Sequence, residues 1–150
     1  MILENDLQHT SIFYNKFMNN NPQKIISVTK SYSFEAAHQL PNHDGQCSQI
    51  HGHSYQLEVT IVGMPKDPDG SSDEGMVIDF KDLGTIVARE VIEHFDHQFL
   101  NDIVDYITTV ENLALDIFER LTFAGLDILQ VRLWETRKAY ATVTKNITQR

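Results

Sequence analysis

The chain has 150 residues and a formal net charge of −9, with 41% hydrophobic and 22% charged residues. These proportions fit a soluble, one-domain globular protein, and the acidic balance speaks against general affinity for nucleic acid or an anionic membrane surface. No apolar run reaches the length of a membrane span, the N-terminus lacks a secretory pattern, and the single cysteine, Cys47, cannot close an intramolecular disulfide, so a cytoplasmic protein is expected.

Residues 1–24 read as an N-terminal extension, set apart from a domain over 25–150. Leu3/Leu7 and Phe13/Phe17 have the i, i+4 spacing of short helical pieces, and Asn19-Asn20-Asn21-Pro22 breaks any regular element. From Ile26 the pattern alternates. Ile26, Val28, Tyr32 and Phe34 share one face of a strand whose parity, continued through Ala36, turns His38 inward. Pro41 to Gly45 is a loop. A second strand sets Tyr55, Leu57, Val59 and Ile61 against Gln56, Glu58 and Thr60, and His51 and His53 share the parity of its apolar face.

The loop at 64–75 is rich in Pro, Gly and acids, and Met76-Val77-Ile78 reads as a short extended piece. Asp79 is placed to cap a helix over about Phe80–His94, with Leu83, Ile86, Val87 and Val91 as its stripe. A second helix starts near Thr108-Thr109-Val110-Glu111, which has capping-box spacing, and its stripe is Leu113, Ala114, Ile117 and Leu121. After Gly125 a strand alternates through Leu129, Val131 and Leu133, with Glu135 in the apolar register, and a last strand covers about Tyr140–Ile147. The order β-β-α-α-β-β predicts an α+β fold, a four-stranded antiparallel sheet with two helices on one face.

Chemistry concentrates in residues 34–53, FEAAHQLPNHDGQCSQIHGH. Three imidazoles, His38, His51 and His53, match the three nitrogens of a zinc site with an open fourth position. Cys47 is open to three readings on its own: fourth ligand, acidified reactive thiol, or inert buried thiol. His97, preceded by Asp96, is either a proton-transfer pair or a solvated helix end. Glu135 either accepts two N–H bonds from a flat amidine-like edge or pairs with Arg132 or Arg137. Glu111 at least suits a helix start, and His43 reads as a loop residue.

Six segments occur in one order: FEAAHQLP, C-x-x-x-H-G-H, GMVIDFKDL, FDHQFLN, T-V-E-N and W-E-T. Together they resemble the 6-pyruvoyltetrahydropterin synthase / 6-carboxytetrahydropterin synthase family over residues 26 to about 145. The resemblance implies that His38, His51 and His53 bind Zn2+ and that Cys47 is the catalytic thiol. It implies that Asp96 and His97 are the relay partners of that thiol. Glu135 would anchor the pterin ring, with Thr109 and Glu111 in the same pocket. It also implies the tunnelling fold, in which the sheets of three subunits close into a barrel and two trimers form a homohexamer with sites between subunits.

Within the family, the short interval from Cys47 to His51 and the opening FEAAHQLP resemble the 6-carboxy branch, which serves queuosine and other deazapurines. The implied reaction is the conversion of 7,8-dihydroneopterin triphosphate to 6-carboxy-5,6,7,8-tetrahydropterin, releasing acetaldehyde and triphosphate. The pyruvoyl activity, which keeps the side chain, is the alternative. A non-catalytic zinc module closed by Cys47 is the more remote one. A side-chain-cleaving branch carries Glu in place of the thiol, which Cys47 opposes. Two positions depart from the family pattern: Thr108 stands where proline is frequent, and Gln39 where a basic residue often follows the first histidine.

Overall fold

The computed structural model describes residues 25–146. The expected helical pieces within 1–24, and Ile147 at the end of the expected last strand, lie outside the described residues. Strand β1 (Ile26–His38) pairs antiparallel with β2 (His51–Gly63) along its whole length, from Ile26 opposite Gly63 to His38 opposite His51. Strand β4 (Ile128–Thr136) lies on the other side of β2, and β5 (Ala139–Thr144) on β4, both antiparallel. The expected four-stranded sheet is extended by a fifth strand, β3 (Gln98–Phe99), which pairs parallel with Ala36 and Ala37, so the order is β3-β1-β2-β4-β5. Two residues without an apolar alternation leave no strand signature.

Helix α1 (Phe80–Val87) starts where expected, with the Asp79 carboxylate accepting from the Lys81 N–H at 2.7 Å. It runs into a π-helical turn (Ala88–Ile92) and a last turn, α2 (Glu93–Phe95). Leu83, Val87, Val91 and Phe95, each four residues from the next, are all buried. Strict spacing of four drifts around a 3.6-residue helix, and the wider turn compensates for that drift. A short α3 (Leu100–Ile103) follows β3, and α4 (Val110–Phe123) packs Leu113, Ala114, Ile117 and Leu121 onto the sheet. The sheet side of this core is Phe34 and Ala36 from β1, Tyr55, Leu57, Val59 and Ile61 from β2, and Ile128, Val131 and Leu133 from β4. The opposite face of β1, from Ser27 through Glu35, is exposed. The architecture is therefore α+β, with its helices packed on the apolar face of the sheet.

Three expectations are corrected. In the expected extended piece Met76–Ile78, Val77 and Ile78 form a bend. Leu129 does not lead the apolar register of β4. A bulge opposite Thr60/Ile61 leaves Leu129 over and puts Ile128 into the core, opposite Ile61. The cap of α4 is Thr109, whose hydroxyl accepts from the Asn112 N–H at 3.4 Å, and not Thr108, the residue with capping-box spacing to Glu111. Thr108 is fully buried and its carbonyl is used elsewhere.

Candidate metal centre and active site

Antiparallel pairing of β1 with β2 sets the last residue of one strand opposite the first of the other, which puts His38 beside His51. His53 follows two residues on, on the same face. The possible ligand atoms of His38, His51 and His53 all lie within 4.8 Å of one another. Strand parity, used in the sequence, is thus the physical cause of the cluster.

Backbone carbonyls orient two of the rings. His38 Nδ1 lies 2.7 Å from the Thr108 carbonyl oxygen, and His51 Nδ1 lies 2.8 Å from that of Gln49. A carbonyl only accepts, so each Nδ1 carries the proton and each Nε2 is left with its lone pair. His38 is 1% exposed, and the buried Nε2 atoms of His38 and His53 have no hydrogen-bond partner among the described residues. An orphaned buried nitrogen costs about 1–3 kcal/mol. A metal ion received by both lone pairs removes that cost, so the residues present fit a metal. Burial disfavours the imidazolium and pushes the His38 and His53 pKa values down, which favours the neutral, ligating form.

Glu135, from the end of β4, lies 3.7 Å from His38 Nε2 and 3.8 Å from His53 Nε2, and is one-quarter exposed. The expected alternative, an arginine partner, is not found at Arg132, which lies 3.5 Å from Glu58 instead. Tyr55 is buried next to the histidines, its ring 5.5 Å from that of His53 and stacked on Phe34 at 4.9 Å.

Cys47 lies in a 3₁₀ turn (Gln46–Ser48) of the β1–β2 loop, partly buried, and its carbonyl accepts from the Leu40 N–H at 2.8 Å. It is outside the three-histidine group. Asp96 and His97 stand together at the edge of β1. Asp96 Oδ2 lies 2.9 Å from His97 Nδ1, and Asp96 Oδ1 accepts from the Glu35 N–H at 2.9 Å. The His97 N–H in turn donates to the Glu35 carbonyl. These bonds hold the Asp96 carboxyl below the usual range, the Glu35 amide first and His97 second. They also fix His97 at φ 58°, a left-handed conformation uncommon for a side chain other than glycine. The His97 side chain is 78% exposed, and among the described residues no hydrogen bond joins it to Cys47.

A cavity of about 450 Å³ on this edge is lined by His53, Glu35, Ser54, His97 and Phe99, among others. His97 and one histidine of the cluster, His53, border this open pocket, whereas His38, His51, Cys47 and Glu135 are not among its lining residues. Thr109 is partly buried at the start of α4, next to the Thr108 that holds His38, and Glu111 is exposed in its first turn. Sequence patterns do not single out Thr108 or Gln49 as ring-orienting groups, nor Glu35 as the anchor of Asp96 and His97. All three act largely through their backbone, which leaves no side-chain signal. His43 is a loop residue, accepting from the Gly45 N–H at 2.9 Å.

Residues 27–146 match the family model described as 6-pyruvoyl tetrahydropterin synthase. A Haemophilus influenzae protein named 6-carboxy-5,6,7,8-tetrahydropterin synthase is 34% identical over 139 residues, covering 77% of this chain and 96% of that one. A Synechocystis protein of the same name is 41% identical over 100 residues, covering 66% and 77% of the two chains. Among solved structures, that of Caenorhabditis elegans 6-pyruvoyl tetrahydropterin synthase superposes with a TM-score of 0.70 at 28% identity, covering 82% of this chain and 97% of that one. The chain belongs to the 6-pyruvoyl tetrahydropterin synthase family.

Proposed function

We propose that the protein is a 6-carboxy-5,6,7,8-tetrahydropterin synthase. In this reading 7,8-dihydroneopterin triphosphate and water become 6-carboxy-5,6,7,8-tetrahydropterin, acetaldehyde and triphosphate, as a step toward queuosine or a related deazapurine. The observation that carries the reading is the cluster of three histidines with two orphaned Nε2 atoms and the Glu135 carboxylate beside them. Similarity supports the 6-carboxy product: the two relatives of that name are 34% and 41% identical, against 28% and 30% for the pyruvoyl enzymes of C. elegans and Dictyostelium discoideum.

His38, His51 and His53 would hold Zn2+, which supplies Lewis-acid chemistry to the hydroxyl groups of the substrate side chain. The Glu135 carboxylate accepts two N–H bonds from the flat edge of the pterin and orients its side chain toward the histidines. Thr109 and Glu111 belong to the same pocket. The Cys47 thiolate takes a proton next to the ring, and His97, its ring oriented by Asp96, carries a second proton. Electrons lost by the side chain are gained by the ring, so the reaction balances without a redox cofactor.

His97 is exposed and Cys47 lies on another loop, which supports a site completed between subunits. In the assembly we propose, the tunnelling fold, three sheets join into a barrel and two trimers stack as a homohexamer, which would also cover exposed sheet edges. The acidic charge and the single cysteine support a cytoplasmic enzyme without nucleic-acid partners. No helix among the described residues is long and apolar enough to cross a membrane.

The test is product analysis of the zinc-loaded protein with 7,8-dihydroneopterin triphosphate. Acetaldehyde and the 6-carboxy pterin are expected. A product that keeps its three-carbon side chain would assign the pyruvoyl activity instead, and unchanged substrate would overturn both.

A further inference from the structure

The segment from Asp96 to Thr109 is attached to the end of β1 at three successive places. Asp96 and His97 bond to the backbone of Glu35, β3 pairs with Ala36 and Ala37, and the Thr108 carbonyl receives His38 Nδ1. Between the last two is a fourth attachment that neither the metal nor the relay uses. The Asn101 side chain, in α3, clamps the backbone of Gln39 on both sides. Its Oδ1 accepts from the Gln39 N–H and its Nδ2 donates to the Gln39 carbonyl, each at 2.9 Å. The Thr108 hydroxyl reaches the same Gln39 carbonyl at 3.4 Å.

Gln39 immediately follows His38 and lies past the end of β1, where the sheet no longer supplies backbone partners. A two-point amide clamp fixes both the position and the plane of the peptide there, as a strand neighbour would. The His38 ring is held at Nδ1 by one carbonyl, and its Cα is held by whatever fixes residue 39. The Gln39 side chain, at a position where the family often has a basic residue, takes no part in the clamp. We propose that Asn101 is a positioning residue of the metal centre: by clamping the backbone of Gln39 it sets where His38 Nε2 points.

This rests on the reading of the three histidines as metal ligands, and its test separates the two. Zinc affinity is measured by chelator competition on the folded wild type, on Asn101→Ala and on Gly125→Ala. The last serves as a control destabilised at the far end of α4. Asn101→Ala is expected to bind zinc about tenfold more weakly, the scale of loss seen when groups that orient metal ligands are removed. Gly125→Ala is expected to bind as the wild type does. Asn101→Asp keeps the acceptor for the Gln39 N–H but sets a carboxylate oxygen against the Gln39 carbonyl, so its affinity should fall at least as far as that of Asn101→Ala. It also decides the matter should Asn101→Ala not fold. Wild-type affinity in the Asn101 variants, within twofold, or an equal loss in Gly125→Ala, overturns the inference and leaves the metal reading standing. A wild type that takes up no zinc overturns the metal reading itself.

Discussion

Glu135 Oε1 stands 3.7 Å from the Nε2 of His38, a carboxylate from one end of the sheet set against an imidazole from the other end of the chain. The distance is too long for a hydrogen bond, and the carboxylate is partly exposed on its free side. Such a group is available to a ligand that enters next to the three histidines. Glu135→Gln keeps the shape but can no longer accept two charge-assisted bonds, each worth about 1.5–3 kcal/mol. The expected result is a KM for the pterin raised about 10- to 100-fold, with zinc content within a few-fold of wild type. An unchanged KM would remove Glu135 from the substrate site. Loss of zinc would make it a ligand.

Cys47 separates the enzyme from the structural zinc module. As the fourth ligand of a closed site it would be required for metal binding. As an acid/base group it would matter for turnover alone. Its place outside the three-histidine group favours the second role. Cys47→Ala is expected to retain zinc, by metal analysis of the purified protein, and to lose about 10²- to 10⁴-fold in kcat, the range of general acid–base catalysis. A variant that purifies without zinc contradicts this assignment.

Asp96 makes a pH-dependent contribution to stability. Its carboxyl is lowered from 3.8 by the Glu35 amide and by His97, so the unfolded chain takes up that proton more readily than the folded one. The stabilisation is fully present above 3.8 and is lost as pH falls through the lowered folded value. Asp96→Asn removes the charge. Urea unfolding of the two proteins should therefore show the wild type ahead at pH 7, with the gap closing only in acid below the ordinary carboxylate value. A gap of constant size from neutral to acid pH would mean that the bonds to Asp96 do not depend on its charge.

The extent to which this molecule is legible in its sequence follows from what each feature depends on. Strand parity fixes which way a side chain points, so the inward turn of His38, His51 and His53 follows from alternation alone. The stripes of α1 and α4 are legible for the same reason, and Leu83, Val87, Leu113 and Ile117 are all buried. Features set by the backbone of distant residues are not legible. The bulge that exchanges Leu129 for Ile128 has no residue of its own to announce it. Thr108 looks like a cap in sequence because a threonine stands three residues before Glu111. In the folded chain its carbonyl holds His38, and the cap moves to Thr109. Strand β3 consists of two residues that pair with β1 directly after Asp96 and His97 bond to Glu35. The motif order, rather than periodicity, marks Cys47, Asp96 and His97, whereas Glu135 stands out already as a carboxylate in the apolar register of its strand.

Gly125 offers a test of the fold that leaves the metal centre untouched. The end of α4 is closed by two reversed bonds. The Gly125 N–H donates to the Thr122 carbonyl at 3.0 Å, and the Leu126 N–H to the Leu121 carbonyl at 3.1 Å. This is the pattern of a helix terminated by a residue in the left-handed region, and Gly125 has φ 94°. Leu126 then packs into the core that Leu121 also joins, so the turn directs the chain into β4. A Cβ on Gly125 would meet no atom within 4 Å. The cost of Gly125→Ala is therefore one of backbone conformation alone, about 1–2 kcal/mol. The urea midpoint should fall accordingly, with zinc affinity unchanged. A variant as stable as the wild type would show that the chain leaves α4 by some other turn.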